Sequence, residues 1–161
     1  MDKNEKTQIT PYFPAFINLS KKEILIIGGG VIATRRVKTL LPFDPDILLV
    51  SPGITGELQE LVMQGRLKYW EQEFTIEDLS VNEFKNADIV CVVTNHKELN
   101  AAIGKRCREL AIPVNVADNK ELCDFYFPGV VLKDHVTIGI TANGLDHVKA
   151  KKVREQIEKI L

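Results

Sequence analysis

Residues 23–33 read EILIIGGGVIA: an apolar run, three glycines in succession and the beginning of a helical pattern. The run Glu23–Ile27 is short and rich in β-branched residues, which is typical of a buried parallel strand. Val31–Leu41 has apolar residues at helical spacing, and Pro42 ends that pattern. The stretch therefore predicts a strand, a glycine-rich turn and a helix in direct succession.

The three glycines fit the dinucleotide-binding pattern G-x-G-x-x-A at the place in the chain where its chemistry requires it. Gly28 allows the tight turn, Gly30 lets a pyrophosphate approach the backbone, and Ala33 permits close packing of the helix on the strand. The helix N-terminus supplies free N–H groups and the positive end of the helix dipole for the phosphates. We therefore predict a dinucleotide site; the alternative is a glycine turn needed only for packing.

The alternation of strands and helices continues to residue 117. Further strands are predicted at Asp46–Val50, Leu67–Trp70, Ile89–Val93 and Val114–Ala117, and helices at Thr55–Gln64, Ile76–Phe84 and Glu98–Leu110. Thr55 is of a residue type that caps a helix N-terminus, so we expect it to be the N-cap of its helix. Strand, helix and strand at this spacing form βαβ units, with helices on both faces of a parallel sheet. The prediction is an α/β fold with a doubly wound parallel sheet of the Rossmann type.

A different pattern follows residue 118. Phe127–Leu132 and Val136–Thr141 predict a β-hairpin, and Asp146–Leu161 predicts a final helix. We therefore expect a disordered leader at 1–11, a dinucleotide-binding domain at 12–117 and a smaller segment at 118–161. That segment is too small for a core of its own, so we expect it to pack on the first domain or on a second copy of the chain.

Composition excludes several classes of protein. The 161 residues are 45% hydrophobic and 27% charged with a net charge of -1, which is typical of a soluble globular chain and gives no basic surface for nucleic acid. Apolar runs stay well below the roughly 18 residues that a membrane helix needs. Cys91, Cys107 and Cys123 form neither a disulfide framework nor a CxxC metal motif. We expect a cytoplasmic protein with reduced thiols and no resident metal.

The second predicted strand ends at Ser51-Pro52-Gly53, without the carboxylate that usually binds the ribose about 20 residues after the glycine motif. Ser51 can donate a hydrogen bond to the ribose, and the Gly53 amide can add a second. Since no arginine stands there for a 2′-phosphate, we favour NAD. Thr94 and Asn95 follow the fourth strand and are further candidates for cofactor contact; the alternative is a turn that caps the next helix.

Asp118 stands at the carboxyl end of the fifth strand, the side on which open α/β sheets bind ligands. A carboxylate there can take a proton while a hydride leaves for the nicotinamide. The alternative is that Asp118 caps the next turn, and Asp124 is the competing acid. The three histidines, His96, His135 and His147, show no metal-ligand spacing.

Several motifs together resemble one family. They are Phe13–Leu19, the glycine turn with Thr34-Arg35, Asn115-Val116-Ala117-Asp118, and Glu121–Phe125 leading to Phe127-Pro128. In this order, and collinear from about residue 12 to residue 161, they resemble the N-terminal domain of siroheme synthases, the precorrin-2 dehydrogenase and sirohydrochlorin ferrochelatase family.

The resemblance implies NAD-dependent oxidation of precorrin-2 to sirohydrochlorin, with iron insertion in some members, by an intertwined homodimer. Asp118 matches the proposed catalytic aspartate of the family. With the residues argued above, the predicted NAD contacts are Gly28, Gly30, Val31, Ile32, Ser51, Pro52, Gly53, Thr94 and Asn95.

The chain departs from the family before its last helix. A Gly-Gly-x-Ser-Pro turn is usual there, whereas this sequence has Asn143-Gly144-Leu145-Asp146-His147. Asp146 can still cap the helix, and Asn143 and Gly144 are candidates for contact with the tetrapyrrole. Two alternatives to the dehydrogenase stay open: a non-catalytic NAD-binding or tetrapyrrole-carrier module, and a bifunctional enzyme that also inserts iron.

Overall fold

The computed structural model describes residues 11–161, so the predicted leader lies almost entirely outside the described residues. The described chain forms two compact units. Residues 18–126 form one, and residues 11–17 together with 127–161 form the other.

The larger unit is a five-stranded parallel sheet with the strand order β3-β2-β1-β4-β5. Its strands are β1 Glu23–Ile27, β2 Asp46–Ser51, β3 Lys68–Glu71, β4 Ile89–Val92 and β5 Val114–Val116, and its helices are α1 Val31–Leu40, α2 Gly56–Met63, α3 Asn82–Lys85 and α4 Lys97–Glu109. Strand β1 pairs in parallel with both β2 and β4, so the order of strands reverses beside β1. Ligands of open α/β sheets bind at such a reversal, at the carboxyl ends of the strands.

The predicted Rossmann-type sheet is confirmed, and two of its helical segments differ in detail. Pro42 ends α1, but the chain continues into a 3-10 turn at Leu41–Phe43. The segment predicted as Ile76–Phe84 divides into a 3-10 turn, Glu77–Ser80, and the single turn α3. The two pieces are separate because Val81 is extended, with φ −71° and ψ 157°.

The core lies between the sheet and its helices. Ile24, Ile26 and Ile27 of β1 are almost completely buried, as are Val37 of α1 and Ile103 of α4. Each such side chain contributes about 1.5–3 kcal/mol by leaving water. The burial of successive β1 residues confirms that this strand is covered on both faces, which holds the glycine turn that follows it at a fixed place.

The boundary between the units lies after Tyr126, not at residue 117 as the change of pattern suggested. The segment after β5 turns back and bonds to that strand. The Asp124 carboxylate accepts the Val114 N–H at 3.0 Å, and the Asp124 N–H donates to the Val114 carbonyl at 2.9 Å. These bonds are not visible in a hydrophobicity pattern.

The smaller unit contains the predicted hairpin and final helix. Strands β6 Gly129–Lys133 and β7 Val136–Ile140 pair antiparallel, and helix α5 spans His147–Ile160. Asp134 takes φ +54° in the hairpin turn. Asp146 caps α5, as predicted, because its carboxylate accepts the Lys149 N–H at 2.8 Å.

Candidate active site

Each glycine of the turn after β1 meets a different surrounding. Gly28 has φ +114°, and a Cβ there would lie 2.7 Å from the Val93 carbonyl oxygen. A Cβ on Gly29 would lie 2.1 Å from the carbonyl oxygen of Gly53. A Cβ on Gly30 would have no atom within 4 Å. Gly28 and Gly29 are therefore required by the fold, whereas the space beside Gly30 is open to a ligand.

Helix α1 begins beside that open space with an uncapped N-terminus. Gly30 is its N-cap and makes no side-chain cap hydrogen bond, and the first turn contains no acidic residue. The N–H groups of a first helical turn have no partner within the helix and carry the positive end of its dipole. The chain thus supplies the donors and the field that a pyrophosphate requires.

A cavity of about 680 Å³ opens at the carboxyl ends of β1, β2 and β4. Every residue predicted to contact the cofactor lines it: Gly28, Gly30, Val31, Ile32, Ser51, Pro52, Gly53, Thr94 and Asn95. Its volume lies in the range of small-molecule and cofactor sites. Val31 and Ile32 are exposed apolar side chains at its wall. The residues present fit a dinucleotide.

The loop after β2 makes one hydrogen bond within itself and another to the glycine turn. The Ser51 hydroxyl donates to the Gly53 carbonyl at 2.8 Å, and the Thr55 N–H donates to the Gly29 carbonyl at 3.2 Å. Thr55 also caps α2, as predicted, through its hydroxyl oxygen and the Leu58 N–H. Ser51 is buried and its one hydroxyl proton is engaged, so donation to a ribose requires that the bond to Gly53 break.

Thr94 and Asp118 are joined by a residue that the sequence analysis missed. Asn100 of α4 donates from Nδ2 to the Thr94 carbonyl and to Asp118 Oδ1, both at 3.1 Å. Its Oδ1 accepts the Thr94 hydroxyl. Asn100 lies on the same helix face as the buried Ile103 and Cys107. A polar residue on that apolar face was the signal that could have revealed it.

The two acids considered for proton transfer have different surroundings. Asp118 is exposed at the end of β5, and its bond to Asn100 engages one carboxylate oxygen. Asp118 is not among the residues that line the cavity, whereas Thr94 is. The Asp124 carboxylate is used to hold the Val114 N–H. Geometry therefore favours Asp118 over Asp124 as an acid available to a substrate.

The cysteines are thiols with raised pKa values, fully buried at Cys91 and Cys107 and half-buried at Cys123. Burial raises the pKa of Cys91 and of Cys107 to about 12. Burial also raises the pKa of Cys123, whose thiol donates to the Val116 carbonyl at 3.1 Å. All three are free of disulfide bonds. Over residues 11–161, no three or more His, Cys, Asp and Glu side chains are grouped to hold a metal ion.

The candidate substrate residues lie in the smaller unit, in the turn between β7 and α5. Asn143 and Gly144 both have positive φ, 54° and 72°. The Asn143 N–H donates to the Thr141 hydroxyl at 3.2 Å, and its side-chain oxygen accepts the Tyr12 N–H at 3.5 Å.

In the described part of the chain, no helix is long and apolar enough to span a membrane.

Comparison with known proteins identifies the family. A family model with the description "Putative NAD(P)-binding" matches residues 15–129. The precorrin-2 dehydrogenase of Bacillus subtilis is 34% identical over 151 residues, which cover 92% of this chain and 88% of that protein. The chain belongs to the precorrin-2 dehydrogenase family. The resemblance drawn from the sequence motifs is thereby confirmed.

Two further comparisons show how much of each similar protein this chain covers. A Ruminiclostridium josui protein, named as a probable multifunctional siroheme biosynthesis protein, is 42% identical over 92% of this chain, which spans 28% of that protein. The solved structure titled "SirC, precorrin-2 dehydrogenase" superposes with a TM-score of 0.75 at 24% identity, covering 93% of this chain and 71% of that chain. The structural match supports the same fold.

Proposed function

We propose that this member of the precorrin-2 dehydrogenase family oxidises precorrin-2 to sirohydrochlorin with NAD as the hydride acceptor. The observation that carries the proposal is the hydrogen-bonded link from Thr94, in the wall of the dinucleotide cavity, through Asn100 to Asp118. It holds a carboxylate next to the predicted cofactor site. The names of the relatives support the substrate.

The reaction removes one hydride and one proton from precorrin-2, and its products are sirohydrochlorin, NADH and H⁺. NAD supplies the hydride acceptor when it is bound. The open space beside Gly30 and the first turn of α1 would bind the pyrophosphate. The exposed Asp118 carboxylate would take the proton, and its bond to Asn100 keeps one oxygen fixed while it does so.

The charge of the cavity wall supports NAD rather than NADP. The described residues that line it include one carboxylate, Glu73, and neither lysine nor arginine. Glu73 follows β3, the neighbour of β2, and so lies on the Ser51 side of the cavity. A 2′-phosphate needs a cationic partner, and a carboxylate there repels it. Glu73, in the segment after β3, thus supplies the negative charge that the end of β2 lacks.

The smaller unit supports assembly as a homodimer. Within residues 11–17 and 127–161, only Val131 is a buried side chain. Leu132, Val136, Leu145 and Val148 are exposed apolar residues of this unit. Exposed apolar side chains of this kind are stabilised by burial against a second subunit. We place the substrate contacts of Asn143 and Gly144 in that same dimer, and we keep the cytoplasm as its predicted location.

Turnover under anaerobic conditions tests the proposal. The purified chain, precorrin-2 and NAD should yield sirohydrochlorin, followed by its absorbance. Asp118→Asn should lower kcat by about 100-fold or more, because general base catalysis contributes roughly 10²–10⁴-fold. Asp44→Asn is the matched control: Asp44 is an exposed acid whose left-handed backbone an asparagine also adopts.

The outcomes separate the proposal from its rivals. NAD binding without turnover by the intact chain would favour the non-catalytic NAD-binding or carrier module. Equal rates for the parent chain and Asp118→Asn would reject the role of that carboxylate. Insertion of ferrous iron into sirohydrochlorin would add the second activity of the bifunctional alternative.

A further inference from the structure

Asn100 has every hydrogen-bonding group of its carboxamide engaged. Both N–H groups donate, one to the Thr94 carbonyl and one to Asp118 Oδ1, and its oxygen accepts the Thr94 hydroxyl. The residue is 1% exposed. A buried amide is costly unless it is satisfied, and this one is satisfied only in a single orientation. The network therefore fixes which atom faces Asp118.

Asparagine is specified at this position by the three bonds. An ionised aspartate could accept the Thr94 hydroxyl but could donate neither to the Thr94 carbonyl nor to Asp118. A serine would be too short to span both partners. The N–H that reaches Asp118 donates to one carboxylate oxygen and so sets the orientation of that group.

Thr94 gives the same network a second end. It lines the dinucleotide cavity, and its hydroxyl oxygen also accepts the His96 N–H at 3.1 Å. The turn after β4 and the carboxylate after β5 are thus held by one side chain from α4. The cavity wall and the candidate proton acceptor cannot shift independently without breaking a buried hydrogen bond.

We propose that Asn100 is a positioning residue for the dehydrogenase reaction, which holds the Asp118 carboxylate at a set place relative to the cofactor cavity. This role rests on the proposed function. Asn100 touches neither cofactor nor substrate in it and acts through Asp118 and Thr94.

Two variants test the role through the pH dependence of kcat. Asn100→Asp sets a second carboxylate against Asp118, which disfavours the ionised form of both groups. The acid limb of the kcat profile should move to higher pH by roughly one unit or more. The variant's kcat should therefore be below that of the parent chain at neutral pH and approach it as pH rises. Asn100→Ser removes the donor without adding charge, so its limb should move in the same direction by less.

Neighbouring groups are accounted for in the same experiment. The Cys123 thiol responds to the charge of Asp118, and burial raises its pKa, so it stays protonated along the acid limb. The pH profile of kcat for His96→Gln shows whether titration of the imidazole next to Thr94 contributes to the acid limb. Asn86→Asp is the matched control, since Asn86 is exposed at the end of α3. It should reproduce the parent profile.

The outcomes distinguish this role from the proposed function. A shifted limb in Asn100→Asp, with a smaller shift in Asn100→Ser and NAD still bound, supports the role. Parent turnover with a uniform loss at every pH in both variants would overturn it, because a merely structural defect behaves in that way. If Asn100→Asp does not fold, Asn100→Ser alone decides. No turnover by the parent chain would reject the proposed function and this role with it.

Discussion

Adjacent glycines of the turn after β1 should respond in opposite ways to the same substitution. A methyl group on Gly29 would lie 2.1 Å from the Gly53 carbonyl oxygen and 2.8 Å from Ser51 Oγ. A methyl group on Gly30 would meet no atom within 4 Å. Gly29→Ala should therefore destabilise the fold, whereas Gly30→Ala should leave the fold intact and weaken NAD binding.

The magnitudes follow from the contacts. For Gly29→Ala, the β2 loop must retreat by more than ~1 Å to reach the roughly 3.5 Å of ordinary contact. Such overpacking costs about 1–3 kcal/mol, and Tm falls by roughly 2–4 °C per kcal/mol in a chain of this size. For Gly30→Ala, alanine is a poorer N-cap than glycine by under ~1 kcal/mol, and the loss of unfolded-state entropy offsets about 0.4–1 kcal/mol. The net change in stability is small.

Binding should separate the two variants further. The Gly30 methyl group projects into the space where the pyrophosphate approaches the helix, so Kd for NAD should rise at least about tenfold, or ~1.4 kcal/mol. Thermal unfolding without cofactor and calorimetric titration with NAD measure both quantities. A Gly30→Ala protein that binds NAD with the parent Kd would refute the placement of the pyrophosphate. Equal losses of Tm in both variants would refute the claim that the position of Gly29 is crowded and that of Gly30 is open.

Three further predictions use other parts of the structure. Glu73→Lys should strengthen binding of NADP relative to NAD by about tenfold, because a cation replaces the carboxylate in the cavity wall; unchanged relative affinities in paired titrations would contradict the assignment. Thr55→Ala should cost about 1 kcal/mol in chemical unfolding, since it removes the cap on the Leu58 N–H; an unchanged midpoint would argue against that bond. Burial raises the pKa of Cys91 and of Cys107 to about 12 from the ordinary 9.0, so both thiols stay protonated in the folded protein. The stability that these buried thiols contribute is therefore complete below pH 9 and declines as pH rises toward 12. The free energy of unfolding should fall over that range, and less steeply in Cys91→Ala, while equal slopes would speak against the burial of a protonated thiol.

Features with a local signal were predictable from the sequence. A strand and the start of a helix are predicted by the run Glu23–Ile27 and the glycine turn, because apolar clustering and missing Cβ atoms act on neighbouring residues. The caps at Thr55 and Asp146 followed from the residue types that satisfy a helix N-terminus. The position of Asp118 at a strand end also followed, since the sheet order places ligands at that edge.

Features set by distant contacts were not predictable in this way. Gly29 is required by a carbonyl in another loop, and Ser51 is engaged by Gly53 instead of pointing free. Asn100 reaches across to the end of β5, a contact that no helical pattern specifies. The boundary between the two units lies later in the chain than the pattern indicated, because Asp124 bonds back to β5. Each depends on which strands become neighbours, which sequence spacing alone does not determine.

The most direct test of the account is the ratio of the two products formed by the purified chain. With precorrin-2 and NAD under anaerobic conditions, NADH and sirohydrochlorin should appear together in equal amounts, and omission of NAD should abolish both. Sirohydrochlorin formed at the same rate without NAD, or NAD bound with neither product formed, would contradict it.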